Sequence, residues 1–145
     1  MSFLACSTCS FELWNPITEL NHSAVGLYDD ERFIGRSLVV LNEHYELLED
    51  LPPEKLLGFM TDIQETVNVI KKVTGSRRVN VAILGNREPH VHAHLIPRYP
   101  EGEIKPDSSP WDDPRKKSTM PENGLYLLQN SLIAAFKQEK NILEA

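Results

Sequence analysis

The chain has no long apolar run. None of its segments approaches the roughly 20 residues that a membrane-crossing helix needs, so no membrane span is expected. A leader is not expected either. Met1-Ser2-Phe3-Leu4-Ala5-Cys6 carries no basic region followed by an apolar one, so no signal peptide is expected and the protein should be cytoplasmic. Cysteine is scarce, with two residues in 145. In a reducing compartment, Cys6-Ser7-Thr8-Cys9 reads as metal or redox chemistry before a structural disulfide. Positive charge is in deficit, with 15 Lys and Arg against 21 Asp and Glu and a net charge of −6. That argues against a general nucleic-acid binder, which wants a basic face. A local pocket of backbone N–H groups and imidazoles still holds a small phosphate in an acidic protein. Internal repeats and a second domain are absent too, so one domain is expected over residues 1–145. The apolar and charged fractions, 41% and 25%, exclude wholesale disorder.

What the chain does have is a row of histidines. Three of its five lie in Glu88-Pro89-His90-Val91-His92-Ala93-His94-Leu95-Ile96-Pro97-Arg98, at every second position. Side chains of a β-strand alternate faces with a period of two. His90, His92 and His94 would then share one face, and Val91, Ala93 and Leu95 would bury the other. A helix would fan the histidines around its circumference, and Pro89 and Pro97 oppose one.

The remaining elements follow in order. Asn15-Pro16 is a turn signal. Ser23-Ala24-Val25-Gly26-Leu27-Tyr28 reads as a strand ending at Asp29-Asp30, and Ser37-Leu38-Val39-Val40-Leu41 as a second, paired with it in a hairpin. Pro52 and Pro53 open the clearest helix, with Asp50 as its cap. Leu56, Phe59/Met60, Ile63, Val67 and Ile70 form its apolar stripe, and Thr74-Gly75 ends it. Val79-Asn80-Val81-Ala82-Ile83-Leu84 is a third strand, turned by Gly85-Asn86-Arg87-Glu88-Pro89 into the histidine strand as its antiparallel neighbour. Six of the ten prolines fall in 97–121, a long irregular loop, mobile unless it covers a site. Leu125, Leu128, Leu132 and Ala135/Phe136 give a C-terminal helix over about 124–140. Short links between strands and segregated helices make an α+β domain on an antiparallel sheet of four to five strands, with the core in about 6–98.

Three chemistries suit a row of imidazoles. His-x-His on a strand can supply ligands to zinc, in which case the row is a catalytic metal site. A neutral imidazole also attacks phosphorus, and the N–P bond it forms is labile to water. Its neighbours would then bind phosphate oxygens and protonate the leaving group. A nucleotide-binding sensor or adaptor with little turnover is a further reading. Spacing alone does not choose among them.

His90-Val91-His92-Ala93-His94-Leu95-Ile96 resembles the pattern of the histidine triad (HIT) family, His-φ-His-φ-His-φ-φ with φ apolar. The approach Leu84-Gly85-Asn86 resembles the turn that precedes the triad there, and Gly35 to Leu51 resembles the family's Gly-His-x-Leu-Val … Glu-His … Asp-Leu stretch. The resemblance covers about residues 6 to 98. It implies a HIT-like fold and a nucleotide hydrolase or nucleotidyltransferase acting at the α-phosphate, on a dinucleoside polyphosphate or nucleoside phosphoramidate. By resemblance, His92 is the nucleophile and forms a nucleotidyl-histidine intermediate. His94 contacts the phosphate and helps protonate the leaving group. Asn86 sits near the bridging or leaving oxygen, and Asn80 near the ribose and phosphate. Asp29, with Asp30 as the alternative, holds the ribose hydroxyls. His94 stands where the transferase branch has glutamine, which favours hydrolysis. Arg36 departs from the pattern, standing where the family has histidine after Gly35. An arginine steers phosphate but cannot serve as a neutral base.

The resemblance extends to family members with an N-terminal Cys-x-x-Cys knuckle. It implies a structural zinc held by Cys6, Cys9, His44 and His90, with four protein ligands and no open position. His90 would then be bound to metal and take no part as acid or base. A homodimer whose sheets join is also implied.

Overall fold

The computed structural model describes residues 5–144; residues 1–4, part of the stretch read above for a leader, lie outside them. Five strands form one antiparallel sheet in the order β1-β2-β3-β5-β4. They are β1 (Pro16–Glu19), β2 (Ser23–Leu27), β3 (Ser37–Leu41), β4 (Arg78–Ala82) and β5 (His92–Arg98). Two helices, α1 (Pro53–Thr74) and α2 (Glu122–Glu144), complete the regular structure. This is the α+β architecture expected from the segregation of strands and helices.

The sheet's first face is a buried layer set by register. Val25 lies opposite Val39, and Val39 opposite Ala93. Both helices pack there. Phe59, Ile63, Val69 and Ile70 of α1 and Leu132 and Phe136 of α2 join Ile17, Val25, Val39, Leu41 and Leu95 in one core. Each large side chain fully buried in this way contributes about 1.5–3 kcal/mol. One polar group enters the layer with its partners supplied. Asp62 of α1 accepts from the Ser23 hydroxyl at 2.7 Å and from the His22 amide at 3.0 Å. That pair pins the helix to the start of β2.

Several boundaries differ from the sequence reading. β1 was not expected, because Asn15-Pro16 reads as a turn. Asn15 does turn, with φ +49°, but Pro16 opens an edge strand, a position where its missing N–H costs no ladder bond. α1 is not capped by Asp50. Pro52 takes the cap position without a side-chain bond, and Asp50 closes a 3-10 turn before it. Gly75 does cap the other end, at φ +75°. β5 begins at His92, so His90 precedes the strand it was expected to share. Arg98 extends β5 into what reads as loop.

The segment 99–121 is anchored by Arg98, whose buried guanidinium bonds the Glu103 carboxylate at 2.9 and 2.5 Å, the Asn80 amide oxygen at 2.7 Å and the Ser108 carbonyl at 2.8 Å. It lies on the second face of the sheet as a strap, and its 3-10 turn at Pro110–Asp112, capped by the Ser109 hydroxyl, carries Trp111 over that face.

Candidate active site and metal centre

The second face of the sheet carries His92, His94, Ile96 and Arg98, alternating along β5. Two coverings lie on it. At one end, residues 5–14 fold back, and Cys6, Phe11 and Leu13 make a small second core with Ala24 and Val40. Gly26 permits this approach. A Cβ there would meet the Trp14 carbonyl oxygen and Leu13 Cδ1 at 2.6 Å. At the other end lies the strap with Trp111. Between them opens a cavity of about 660 Å³ with His92 and His94 on its floor. Phe11 and Trp14 form one wall, Tyr28, Arg36 and Trp111 another, and residues 84–88 the third.

Backbone contacts fix two of the histidine tautomers. A carbonyl oxygen only accepts, so Nδ1 of His92, 2.7 Å from the His90 carbonyl oxygen, carries the proton. Its Nε2 then holds the free lone pair. Burial of the ring disfavours its cationic form and lowers its pKa. Phe11 lies 5.0 Å from the His92 ring, centroid to centroid, and helps exclude water there.

His90 is fully buried and turned the other way. Its Nε2 lies 2.7 Å from the Leu41 carbonyl oxygen and so bears the proton, which leaves the Nδ1 lone pair facing Cys9 Sγ at 3.6 Å. Nδ1 of His44 lies 3.6 Å from Cys6 Sγ. The four ligand atoms of Cys6, Cys9, His44 and His90 all lie within 4.8 Å of one another. Tetrahedral zinc with ordinary bond lengths spaces sulfur and nitrogen by about 3.6 Å, the separation of both Cys–His pairs, so the donor set suits such a metal. The carbonyl on His90 Nε2 is the outer contact that orients a metal-binding imidazole. Burial pushes the Cys6 thiol up, but backbone N–H groups of Cys9 and Thr8, with Cys9 and His44 side chains, bring its pKa down to about 6. Metal ligation calls for that thiolate.

His94 has a side-chain partner instead. Nη2 of Arg36 lies 3.2 Å from its Nδ1, and Nη1 of Arg36 donates to Asp30 at 2.9 Å. Asp30 is buried and also receives Arg32 at 3.0 Å, so it is unavailable to a ribose. The Arg36 guanidinium stacks 3.9 Å over the Tyr28 ring, and Trp111 meets His94 edge-on at 5.5 Å. Burial first, then the charges of Arg36, His92 and Lys117, hold the His94 pKa down to about 4.

The other expected residues are dispersed. Asn86 lines the cavity beside Arg87. Asp29 lines a smaller adjoining cavity of about 340 Å³ with Trp14, Leu27, Tyr28 and Leu38, where its carboxylate accepts from the Met120 amide at 2.8 Å. Asn80 shares a face with His94, but its oxygen is held by Arg98 at 2.7 Å. Sequence reading missed the walls. Phe11, Trp14 and Trp111 are aromatics in segments without a periodic pattern, Tyr28 ends a strand, and their clustering around one cavity is a tertiary fact.

Comparisons with known proteins bear on the family and the fold. An uncharacterized HIT-like protein of Methanocaldococcus jannaschii is 33% identical over 94 residues, which is 54% of this chain and 72% of that protein. The asymmetrical bis(5'-nucleosyl)-tetraphosphatase of Schizosaccharomyces pombe is 35% identical over 69 residues, 44% of this chain and 38% of that one. This chain therefore spans well under half of that enzyme. A histidine triad protein of Bradyrhizobium japonicum superposes with TM-score 0.74 at 22% identity, covering 83% of this chain and 88% of that one. A zinc-bound histidine triad family protein of Mycobacterium smegmatis does so with TM-score 0.60 at 20% identity, covering 85% and 86%. The HIT domain profile matches residues 17–101, more than half of the sequence and the whole span from β1 through the histidine strand. The chain belongs to the HIT domain family.

Proposed function

We propose that the chain is a nucleotide hydrolase cleaving at the α-phosphate of a dinucleoside polyphosphate or nucleoside phosphoramidate, with His92 as nucleophile. The observation that carries this is the His92–His90 contact, which leaves Nε2 of a buried neutral imidazole free on a cavity floor. A family relative named as a tetraphosphatase supports the substrate class.

In this reading Nε2 of His92 forms a bond to the α-phosphorus, and the bond to the leaving group breaks with its electron pair going to that group. Water then attacks the same phosphorus. The N–P bond breaks, its electron pair returns to Nε2, and a proton leaves with the nucleoside monophosphate or to solvent. His94 binds phosphate oxygens, and Asn86 stands by the bridging or leaving oxygen. Asp29 borders the adjoining cavity as the ribose contact. We place Asn80 outside the binding set, because its oxygen is committed to Arg98.

Cys6, Cys9, His44 and His90 are the proposed zinc ligands. The metal there supplies structure, tying residues 6–9 to the start of the catalytic strand. The two thiols are free in the structure, and a reducing compartment such as the cytoplasm suits them. Among the described residues no helix is long and apolar enough to cross a membrane. We also propose a homodimer joined through β4, the sheet edge where Val81 is exposed.

The test is incubation of the protein with a panel of dinucleoside polyphosphates and nucleoside phosphoramidates, followed by product chromatography. Release of a nucleoside monophosphate is expected. Tight binding with no product from any of them would replace the hydrolase with a nucleotide sensor.

A further inference from the structure

His94 touches a group that can only donate. The guanidinium of Arg36 has no acceptor and stays charged at every relevant pH. With Nη2 at 3.2 Å, the Nδ1 of His94 must present its lone pair. Asp30 holds the other end of Arg36 at 2.9 Å, and both side chains are buried. Tyr28 stacks on the guanidinium at 3.9 Å, so the arginine cannot swing away without losing three contacts. The neutral ring therefore bears its proton on Nε2. A second proton would place an N–H against the guanidinium N–H. The titratable groups facing His94 are Arg36, just before β3, His92 on its own strand and Lys117 from the strap, with Tyr28 and Trp111 adding neutral rings. All three groups oppose a cationic imidazole, and its pKa near 4 follows the same direction.

We propose that Arg36, braced by Asp30, is a positioning residue that holds His94 as the neutral Nε2–H tautomer, so that His94 donates to phosphate oxygens but delivers no proton, and the site favours substrates whose leaving group departs without one. This rests on the nucleotidyl-histidine reading above and narrows it. When a phosphoanhydride is cleaved, the P–O electron pair goes to a phosphate oxygen, which is stable as an anion. When a phosphoramidate is cleaved, the P–N pair goes to nitrogen, which must gain a proton as it leaves. A neutral imidazole giving up its Nε2 proton would become an imidazolate, so His94 cannot serve. The inference thus selects polyphosphates over phosphoramidates. It also revises the expectation that His94 protonates the leaving group.

Two measurements test it. The first is the two-bond 1H–15N correlation spectrum of the uniformly 15N-labelled wild type at pH 7, with His94 assigned by comparison with His94→Gln. A protonated Nε2 and an unprotonated Nδ1 are expected. An Nδ1–H tautomer or an imidazolium for His94 overturns the inference. The second is the ratio of kcat/KM values for a dinucleoside tetraphosphate and the matching nucleoside 5′-phosphoramidate, in wild type and in Arg36→Met. The variant should lower that ratio about tenfold or more, part of what a freed proton donor contributes, with Arg36→Lys between the two. An unchanged ratio overturns the inference. If neither substrate turns over, the hydrolase reading falls while the wild-type spectrum still decides the tautomer. The spectrum also decides if Arg36→Met does not fold.

Discussion

The carbonyl oxygen of His90 accepts a hydrogen bond from Nδ1–H of His92 at 2.7 Å, while the ring of the same His90 faces Cys9. One residue thus serves two sites with different atoms. Its imidazole belongs to the Cys6, Cys9, His44 cluster that could hold a metal, and its main chain orients the His92 ring.

Replacement of His92 tests the nucleophile. His92→Ala should lower turnover roughly a thousandfold or more and leave nucleotide binding and the circular dichroism spectrum near wild type. Intact mass spectrometry after a rapid alkaline quench should show a nucleotidyl adduct on the wild type and none on the variant. Undiminished hydrolysis by the variant would place the chemistry elsewhere.

The metal cluster predicts a different pattern. The double replacement Cys6→Ser/Cys9→Ser should reduce bound zinc from about one per chain to near none, by elemental analysis. Thermal midpoint should fall by about 5 °C or more. Turnover should fall only about tenfold, the scale of an outer contact, because the His90 carbonyl remains in place. Equal zinc in both proteins would exclude these ligands.

Acid should weaken the fold as the pH falls from the ordinary imidazole range toward 4. His94 ionises near 4 in the native protein against an ordinary 6.5. Between those values the unfolded chain binds a proton that the native chain does not, so stability rises with pH across that window and is lost as pH falls through it. His92 is shifted in the same direction by its burial. Asp30, whose pKa lies below its ordinary 3.8, contributes only at lower pH. Urea midpoints measured from pH 4.5 to 7 should therefore climb, and His94→Gln should climb less steeply. Parallel curves would show that His94 is not buried as a neutral group.

Gly26 predicts a coupling between sheet and wall. Gly26→Ala would drive a methyl into the Trp14 carbonyl and Leu13, each 2.6 Å away. The cost should be about 1–3 kcal/mol by urea denaturation, the range for overpacking. KM should rise more than kcat falls, since Phe11 and Trp14 shift while β5 stays in place.

Much of this was readable in advance. The hairpin β2–β3, the antiparallel pair β4–β5, α1 with its Gly75 end and α2 follow from period and turn residues. The four metal-cluster residues came from resemblance, and the fold does gather them. What escaped has physical causes. β1 is short and begins at a proline that carries a turn signal. His90 keeps the alternating spacing but leaves the strand, because period alone does not say where pairing starts. That Asp29 also accepts from the Met120 amide, 91 residues along the chain, has no local signal. The role of Arg98 depends on Glu103, Ser108 and Asn80 meeting in space, which no local pattern announces.

The two coverings of the histidine face have separate origins in the chain, one before β1 and one after β5. Neither supplies the atoms that set the tautomers of His92 and His94, which belong to residue 90 and to Arg36 at the entry to β3. The cavity walls and the contacts that set the histidine tautomers are therefore separately adjustable. A lengthened strap or an altered aromatic wall would redirect what the cavity admits and leave the contacts of His92 and His94 beneath it as they are.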